Sequence, residues 1–259
     1  MLVGWQRGLV RILAWNVNHR TRQKAIPADV PASILSLNPD VVVLTEYVEG
    51  RGHSSLLTEL SKVGISTEFH TPFQPGHNQV LVVSRSTSSL GTFVPPMALG
   101  HAASNCVHAQ FVSPFLNLIG MRVPMYKSSS ESRSYWDWFG PAVGPLLNSR
   151  TVIIGDLNTD PQRSKSRGFE DLKRLVASGW QLPNPVGEWS YISTRGTTSR
   201  LDHALVSPAV SAVRAEYIAS AHGFAFAGSG NSYLSDHAPL ILDIADPVTT
   251  HPLRQLLRT

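Results

Sequence analysis

The chain has 259 residues, 42% of them hydrophobic and 15% charged, with a formal net charge of +4. That is enough apolar material for one sizeable core, and a charged fraction below the roughly 25% of ordinary globular domains excludes long charged disordered tracts. The single cysteine, Cys106, excludes an intramolecular disulfide and a cysteine-based zinc cluster, and no apolar run approaches the roughly 20 residues of a membrane span.

The opening stretch MLVGWQRGLVRILAW is interrupted by Arg7 and Arg11 and does not read as a secretory signal, so the expected setting is a reducing cytoplasm. Short aliphatic, β-branched runs then recur along the chain and read as buried strands: VRILAW (10–15), DVVVLTE (40–46), QVLVVS (79–84), FLNLIGMRV (115–123), TVIIGD (151–156), LDHALVS (201–207) and PLILDI (239–244). Helical patterns lie between them. One starts near Pro31 and carries Ile34, Leu35 and Leu37; a second places Leu56, Leu57, Leu60 and Val63 on one face before Gly64. A third contains Trp136, Phe139 and Val143, with Pro141 and Pro145 blurring its limits, and a fourth carries Phe169, Leu172, Leu175 and Val176, capped by Gly179. The Ser-rich segment KSSSESRS (127–134) is expected to be a mobile loop, and the inert Cys106 thiol to be buried. Strands mixed with helices predict an α/β or α+β sandwich. No linker or repeat divides the chain, so residues 1–259 read as a single domain with a core over about 10–245 and a peripheral tail over 246–259.

Several strands end in polar residues rather than turn signals: Asn16 and Asn18 after the first, Glu46 after the second, Asp156 and Asn158 after TVIIG, Asp202 opening LDHALVS, and Ser235, Asp236 and His237 before PLILDI. A carboxylate at the end of a buried strand is costly unless it is paired or bound to a metal, so four such positions argue for convergence on one cleft. Each motif alone also fits a turn, a cap or a solvated boundary.

In order, WNVN (15–18), LTE (44–46), GDLN (155–158), SRLDHALVS (199–207) and SDHAPL (235–240) resemble the endonuclease/exonuclease/phosphatase superfamily, from about residue 10 to about 245, and most of all its exonuclease III and apurinic-endonuclease branch. The resemblance implies a deoxyribonuclease-I-like fold, a four-layer α/β sandwich of two packed mixed β-sheets flanked by helices. It implies metal ligation by Glu46 with Asn16 and Asp236, and hard oxygen donors suit Mg²⁺ or Mn²⁺. It further implies that Asp156 orients or deprotonates the attacking water, that Asn158 holds that water or a phosphate oxygen, and that His237, oriented by Asp202, contacts the scissile phosphate. Two departures stand out. Arg122 occupies a place where related nucleases carry a His or Tyr; it can clamp phosphate but cannot give up a proton, unless a shifted alignment brings Tyr126 or Lys127 there instead. Asn18 stands where the apurinic-endonuclease branch often has Asp.

Three cationic stretches flank these motifs: HRTRQK (19–24) with Arg20 and Arg22, QRSKSR (162–167) with Arg163, and Arg195 with Arg200. Together with Asn18 and Trp189 they are the expected contacts to a polyanion, with loop charge and a core tryptophan as the alternatives. Tyr191 reads as core, and His53, His70, His77, His101, His108 and His222 show no metal-ligand spacing. The expected activity is Mg²⁺- or Mn²⁺-dependent hydrolysis of DNA phosphodiesters, by an endonuclease or an abasic-site or 3′ repair nuclease, with no membrane and no obligate protein partner. The alternatives are a phosphatase or phosphodiesterase for phospholipid, inositol phosphate or tyrosyl–DNA substrates, and an inactive binding protein of the same fold.

Overall fold

A computed structural model describes residues 8–18, 26–112, 115–230 and 232–246. Arg20, Arg22 and the tail beyond Asp246 lie outside the described residues. The seven aliphatic runs all form strands, and they sort into two sheets. The first contains β1 (Leu9–Asn16), β2 (Val41–Tyr47), β3 (Thr67–His70), β4 (Gln79–Ser84), β12 (Ala212–Tyr217) and β15 (Leu240–Ala245), in the order β12-β15-β1-β2-β4-β3. The second contains β5 (Ser88–Leu90), β6 (Cys106–Val112), β7 (Phe115–Arg122), β8 (Thr151–Asp156) and β11 (Asp202–Val206), in the order β11-β8-β7-β6-β5. Two-residue hairpins, β9 (Tyr191–Ile192) with β10 (Thr198–Ser199) and β13 (Ser220–Ala221) with β14 (Phe224–Ala225), stand beside them.

Each sheet is mixed. β1 runs parallel to β2, and β7 parallel to β8, while the other pairings are antiparallel. Parallel neighbours need a crossover. Helix α1 (Asp29–Ser36) lies between β1 and β2, and α3 (Ser129–Val143) between β7 and β8; α2 (His53–Ser61) follows β2 and α4 (Phe169–Ala177) follows β8. Three apolar layers result. Val43, Val82, Leu118, Ile154 and Leu242 fill the space between the sheets; Leu13, Ile34, Leu56 and Leu60 pack α1 and α2 on the first sheet; Met121, Phe139, Ile153 and Leu172 pack α3 and α4 on the second. Alternate residues of each central strand serve opposite layers, which is why these runs are aliphatic throughout. The expected four-layer sandwich is the observed fold.

Three local expectations change. The Ser-rich segment is no loop beyond its first two residues: Ser128 caps α3 by accepting a hydrogen bond from the Glu131 amide while the Glu131 carboxylate takes the Ser128 amide, a reciprocal capping box. Val63 and Val176 are exposed rather than part of the helical stripes, because α2 ends at Ser61 and Val176 faces away from the buried Leu172 and Leu175. β3, β6 and β12 are strands that the sequence reading missed. TEFH holds one apolar residue among four and AVRAEY is broken by Arg214 and Glu216, weaker signals than a continuous aliphatic run. Cys106 opens β6, and burial pushes its thiol up to about 12.

Candidate active site

The site is built on one transverse row of the second sheet. Arg122 at the end of β7 is paired in register with Asp156 at the end of β8, and Asp156 with Asp202 at the start of β11. Residues directly opposite across strands project to the same side, so the three side chains converge. Gly155 permits this packing: its φ is +142°, and a Cβ there would lie 2.0 Å from the Met121 carbonyl oxygen.

Asp156 is completely buried, and its oxygens are surrounded by donors. Oδ2 accepts from Asn16 Nδ2 at 2.9 Å, Oδ1 from the Asn158 amide at 2.9 Å, and Asn158 Nδ2 stands 3.3 Å from Oδ2. Burial, reinforced by Asp202 and Glu46 against the pull of His237 and Arg122, raises the Asp156 carboxyl to about 6. A carboxylate in that range is a competent proton acceptor at neutral pH. Asn158 adopts φ +49° and also donates Nδ2 to the Val123 carbonyl at 2.6 Å. With its amide nitrogen committed to Val123 and Asp156, Asn158 offers its acceptor oxygen. Asn16 Oδ1 in turn receives the Asn18 amide at 2.9 Å, so Asn18 sits in the site through its backbone.

Glu46 is the penultimate residue of β2 and adopts φ +49°, where the β2–β4 register shifts between Leu44 and Tyr47. Its Oε1 lies 2.7 Å from Arg122 Nη2, and Arg122 Nε lies 3.5 Å from Asp156 Oδ2. The guanidinium therefore bridges carboxylates from the two sheets. Asp236 precedes β15 and is half-buried; burial raises its carboxyl, His237 opposes this, and Glu46 adds to it.

His237 Nδ1 lies 2.8 Å from Asp202 Oδ2. Its backbone is fixed on both sides, the amide donating to Ser235 Oγ at 3.1 Å and the carbonyl accepting from Trp15 Nε1 at 2.8 Å. Ser235 Oγ donates to the Asn16 carbonyl at 2.7 Å, which ties the SDH segment to the end of β1. Burial disfavours the imidazolium, but the charge and hydrogen bond of Asp202, with Asp156 and Asp236 behind it, outweigh this and raise His237 to about 9. Asp202 is itself held by the Ser190 hydroxyl, which accepts its amide at 3.0 Å. The other Asp202 oxygen, Oδ1, is buried without a hydrogen-bond partner.

Glu46, Arg122, Asp156, Asn158, Asn16, Asp202, Asp236 and His237 thus gather where strand ends of the two sheets meet. Ser190 and Tyr191 join them unforeseen: the Tyr191 ring packs 4.9 Å from the His237 ring and is only partly buried, so Tyr191 lines the site rather than filling the core. Both lie in the segment before RLD, and their role follows from pairings distant in sequence.

The flanking residues divide. Arg163 keeps an exposed side chain, tethered to Asp160 and to the Thr198 carbonyl. Arg200 is corrected. It is 7% exposed, and its guanidinium donates to Gly187 O, Pro185 O and Asn184 Oδ1 and stacks on the Tyr217 ring. Those carbonyls compensate a buried cation and leave it nothing to offer a polyanion. Trp189 is partly buried and packs against the core between the sheets, the more ordinary of its two expected roles.

The sequence profile described as the Endonuclease/Exonuclease/phosphatase family matches residues 13–237, which span every one of these site residues. The chain belongs to this family. Endonuclease/exonuclease/phosphatase proteins are hydrolases of phosphoester bonds, and the site lies within the matched span. Among solved structures, the fold is similar to an AP endonuclease from Archaeoglobus fulgidus (TM-score 0.66, 17% identity, 90% of this chain and 98% of that one). It is also similar to the 3′–5′ exonuclease NExo from Neisseria meningitidis (TM-score 0.66, 18% identity, 90% and 98%) and to a humanized D. rerio TDP2 (TM-score 0.63, 14% identity, 92% and 99%). No curated protein sequence matches the chain.

Proposed function

We propose that the protein is a single-domain, Mg²⁺- or Mn²⁺-dependent phosphodiesterase that hydrolyses DNA backbone bonds, in the manner of the exonuclease III and apurinic-endonuclease branch. The observation that carries this reading is the Asp202–His237 pair facing the Asp156–Asn158 pair across one row of strand ends. The donor chemistry suits the metal. Glu46, Asp156, Asp202 and Asp236 are countered by one guanidinium and one imidazolium, Arg122 and His237, leaving the deficit that one divalent cation would fill. Glu46, Asp236 and the Asn16 amide oxygen would hold it, and when bound it supplies positive charge to the phosphate oxygens.

The chain's own residues then divide the work. Asp156 accepts the proton of a water positioned with Asn158. His237, protonated at neutral pH and fixed through Nδ1, presents Nε2–H to a non-bridging oxygen as negative charge grows there. Arg122 adds a fixed charge on the side of Glu46 and does not protonate the leaving group. DNA is favoured over other phosphoesters by the cations of the 162–167 loop and by the fold shared with an AP endonuclease and a 3′–5′ exonuclease. The burial of Arg200 removes one cation expected to support it.

The test is a cleavage panel in Mg²⁺, Mn²⁺ and chelator, with supercoiled plasmid, an abasic duplex, single-stranded DNA, RNA and a phosphoinositide. Metal-dependent nicking of DNA that is nearly abolished in His237→Ala is expected. Cleavage confined to the phosphoinositide would sink the DNA reading, and no cleavage of any substrate would favour a binding protein.

A further inference from the structure

The histidines to which the sequence spacing gave no metal role contain a pair that the fold brings together. Glu68 and His70 are two residues apart on β3 and so share a face, opposite Phe69, which packs against the core between the sheets. That face meets His53 at the first position of α2, the His53 and His70 ring centroids lying 5.7 Å apart. Glu49, just beyond β2, completes the group: one ligand atom each from Glu49, His53 and His70 lies within 4.8 Å of the others.

The surroundings are built for ligation. His70 Nδ1 lies 3.1 Å from the Thr71 carbonyl, which can only accept, so the proton of the neutral ring is on Nδ1 and the Nε2 lone pair faces inward. That Nε2 is 3.7 Å from Glu68 Oε1, and His53 Nε2 is 3.3 Å from the same oxygen. Glu68 Oε1 is buried and makes no hydrogen bond. A lone pair aimed at a buried carboxylate oxygen is repulsive unless a proton or a metal cation lies between them. His53 Nδ1 contacts the Tyr47 hydroxyl, an outer partner of the kind that orients a ligating imidazole. Gln79 locks the frame, accepting the Glu49 amide at 2.6 Å and donating to the same Thr71 carbonyl.

We propose that His53 and His70, with the carboxylates of Glu49 and Glu68, form a second metal site, separate from the Glu46–Asp236 centre, that takes a zinc-class divalent ion. Two imidazoles and two carboxylates match the tetrahedral nitrogen–oxygen preference of zinc rather than the all-oxygen preference of Mg²⁺. Tetrahedral donors about 2.0–2.1 Å from the ion stand about 3.3 Å apart, so the Glu49, His53 and His70 atoms, within 4.8 Å of one another, need to draw in by about 1.5 Å at most, with Glu68 Oε1 already 3.3 Å and 3.7 Å from the two imidazoles. The site joins the end of β2, the start of α2 and the edge strand β3, and braces the chain three residues beyond Glu46.

The test uses the full-length protein stripped with chelator and titrated with zinc chloride against a chromogenic chelator, with cobalt chloride as a spectroscopic substitute. One zinc per chain at micromolar or tighter affinity is expected, with a visible cobalt spectrum of four-coordinate type. His70→Gln and Glu68→Gln should each weaken zinc at least tenfold and abolish the zinc-dependent rise in Tm, while keeping the Tm of the metal-free protein. His237→Ala, which alters only the active site, should retain the zinc. Absence of a saturable zinc site in the parent chain, equal affinity in all variants, or loss confined to His237→Ala would each overturn the proposal.

Discussion

Arg122 Nη2 sits 2.7 Å from Glu46 Oε1, so a cation of the protein's own occupies the carboxylate that a divalent ion would use. Arg122 and metal should compete for Glu46. In Arg122→Leu, isothermal titration should show Mg²⁺ binding tighter by roughly three- to tenfold, since a neighbouring positive charge is gone. Phosphodiester cleavage should nevertheless fall about a hundredfold through loss of charge near the phosphate. Unchanged Mg²⁺ affinity would mean that the ion pair does not guard the ligand.

In the proposed mechanism Asp202 acts through His237, whose Nδ1 it contacts at 2.8 Å. Asp202→Asn should lower cleavage by about 10²–10⁴-fold with little change in KM. It should also bring the His237 titration, followed by NMR, down from about 9 toward the ordinary imidazole value, because the charge and hydrogen bond of Asp202 hold it up against burial. A variant with normal cleavage and an unmoved titration would remove Asp202 from the mechanism.

Arg200 and Arg163 should part company. Arg200→Ala leaves the Pro185 and Gly187 carbonyls without their buried donor and should cost about 2–4 kcal/mol in urea unfolding, with no change in how DNA binding depends on salt. Arg163→Ala should be nearly neutral for stability and should reduce the salt slope of DNA binding by about one. The reverse pattern would restore Arg200 to the substrate side.

His203 gives a stability test. Its Nε2 lies 2.7 Å from the Arg200 carbonyl and 3.1 Å from the Thr159 carbonyl, and its Nδ1 is buried without a partner. Burial lowers its folded-state value, and the carbonyl contacts and Asp202 only partly offset this. Above the unfolded value near 6.5 the ring is neutral in both states and stability is unaffected. As pH falls below about 6.5 the unfolded chain takes up a proton that the folded chain refuses, so stability drops by up to about 1.4 kcal/mol per pH unit. The difference between the urea stability of the parent and of His203→Gln should therefore shrink between pH 7.5 and 5.5; a difference constant with pH would place the titration elsewhere.

The fold was legible wherever strands are buried on both sides, since continuous runs such as DVVVLTE and TVIIGD need no partner to be recognised. β3 and β12, interrupted by polar residues, were not. The candidate site was legible where strand ends carried costly carboxylates: Asp156 and Asp202 stand opposite each other, and Arg122 joins Glu46 to Asp156. It was illegible where the deciding contact joins segments far apart. Arg200 looked like a surface cation because nothing local reveals the carbonyls at 185 and 187 that surround it. Tyr191 met His237 only through the β9 segment, and His53 met His70 only because the first residue of α2 comes beside the end of β3. Ser128 and Glu131 did carry a local signal, the spacing of a capping box, hidden by the low-complexity look of the serines around it.

The rung formed by Arg122, Asp156 and Asp202 spaces its three charges by backbone pairing alone, at about 4.8 Å per strand. The segments between those strands do not set that spacing. A residue inserted within β7, β8 or β11 would turn its charge to the opposite face, whereas a residue inserted in the connection after Asn158 or before Arg200 would leave the rung untouched. The spacing of the three charges and the lengths of the surrounding loops are therefore independent variables, and a lineage or an engineer could lengthen the loops without moving the charges.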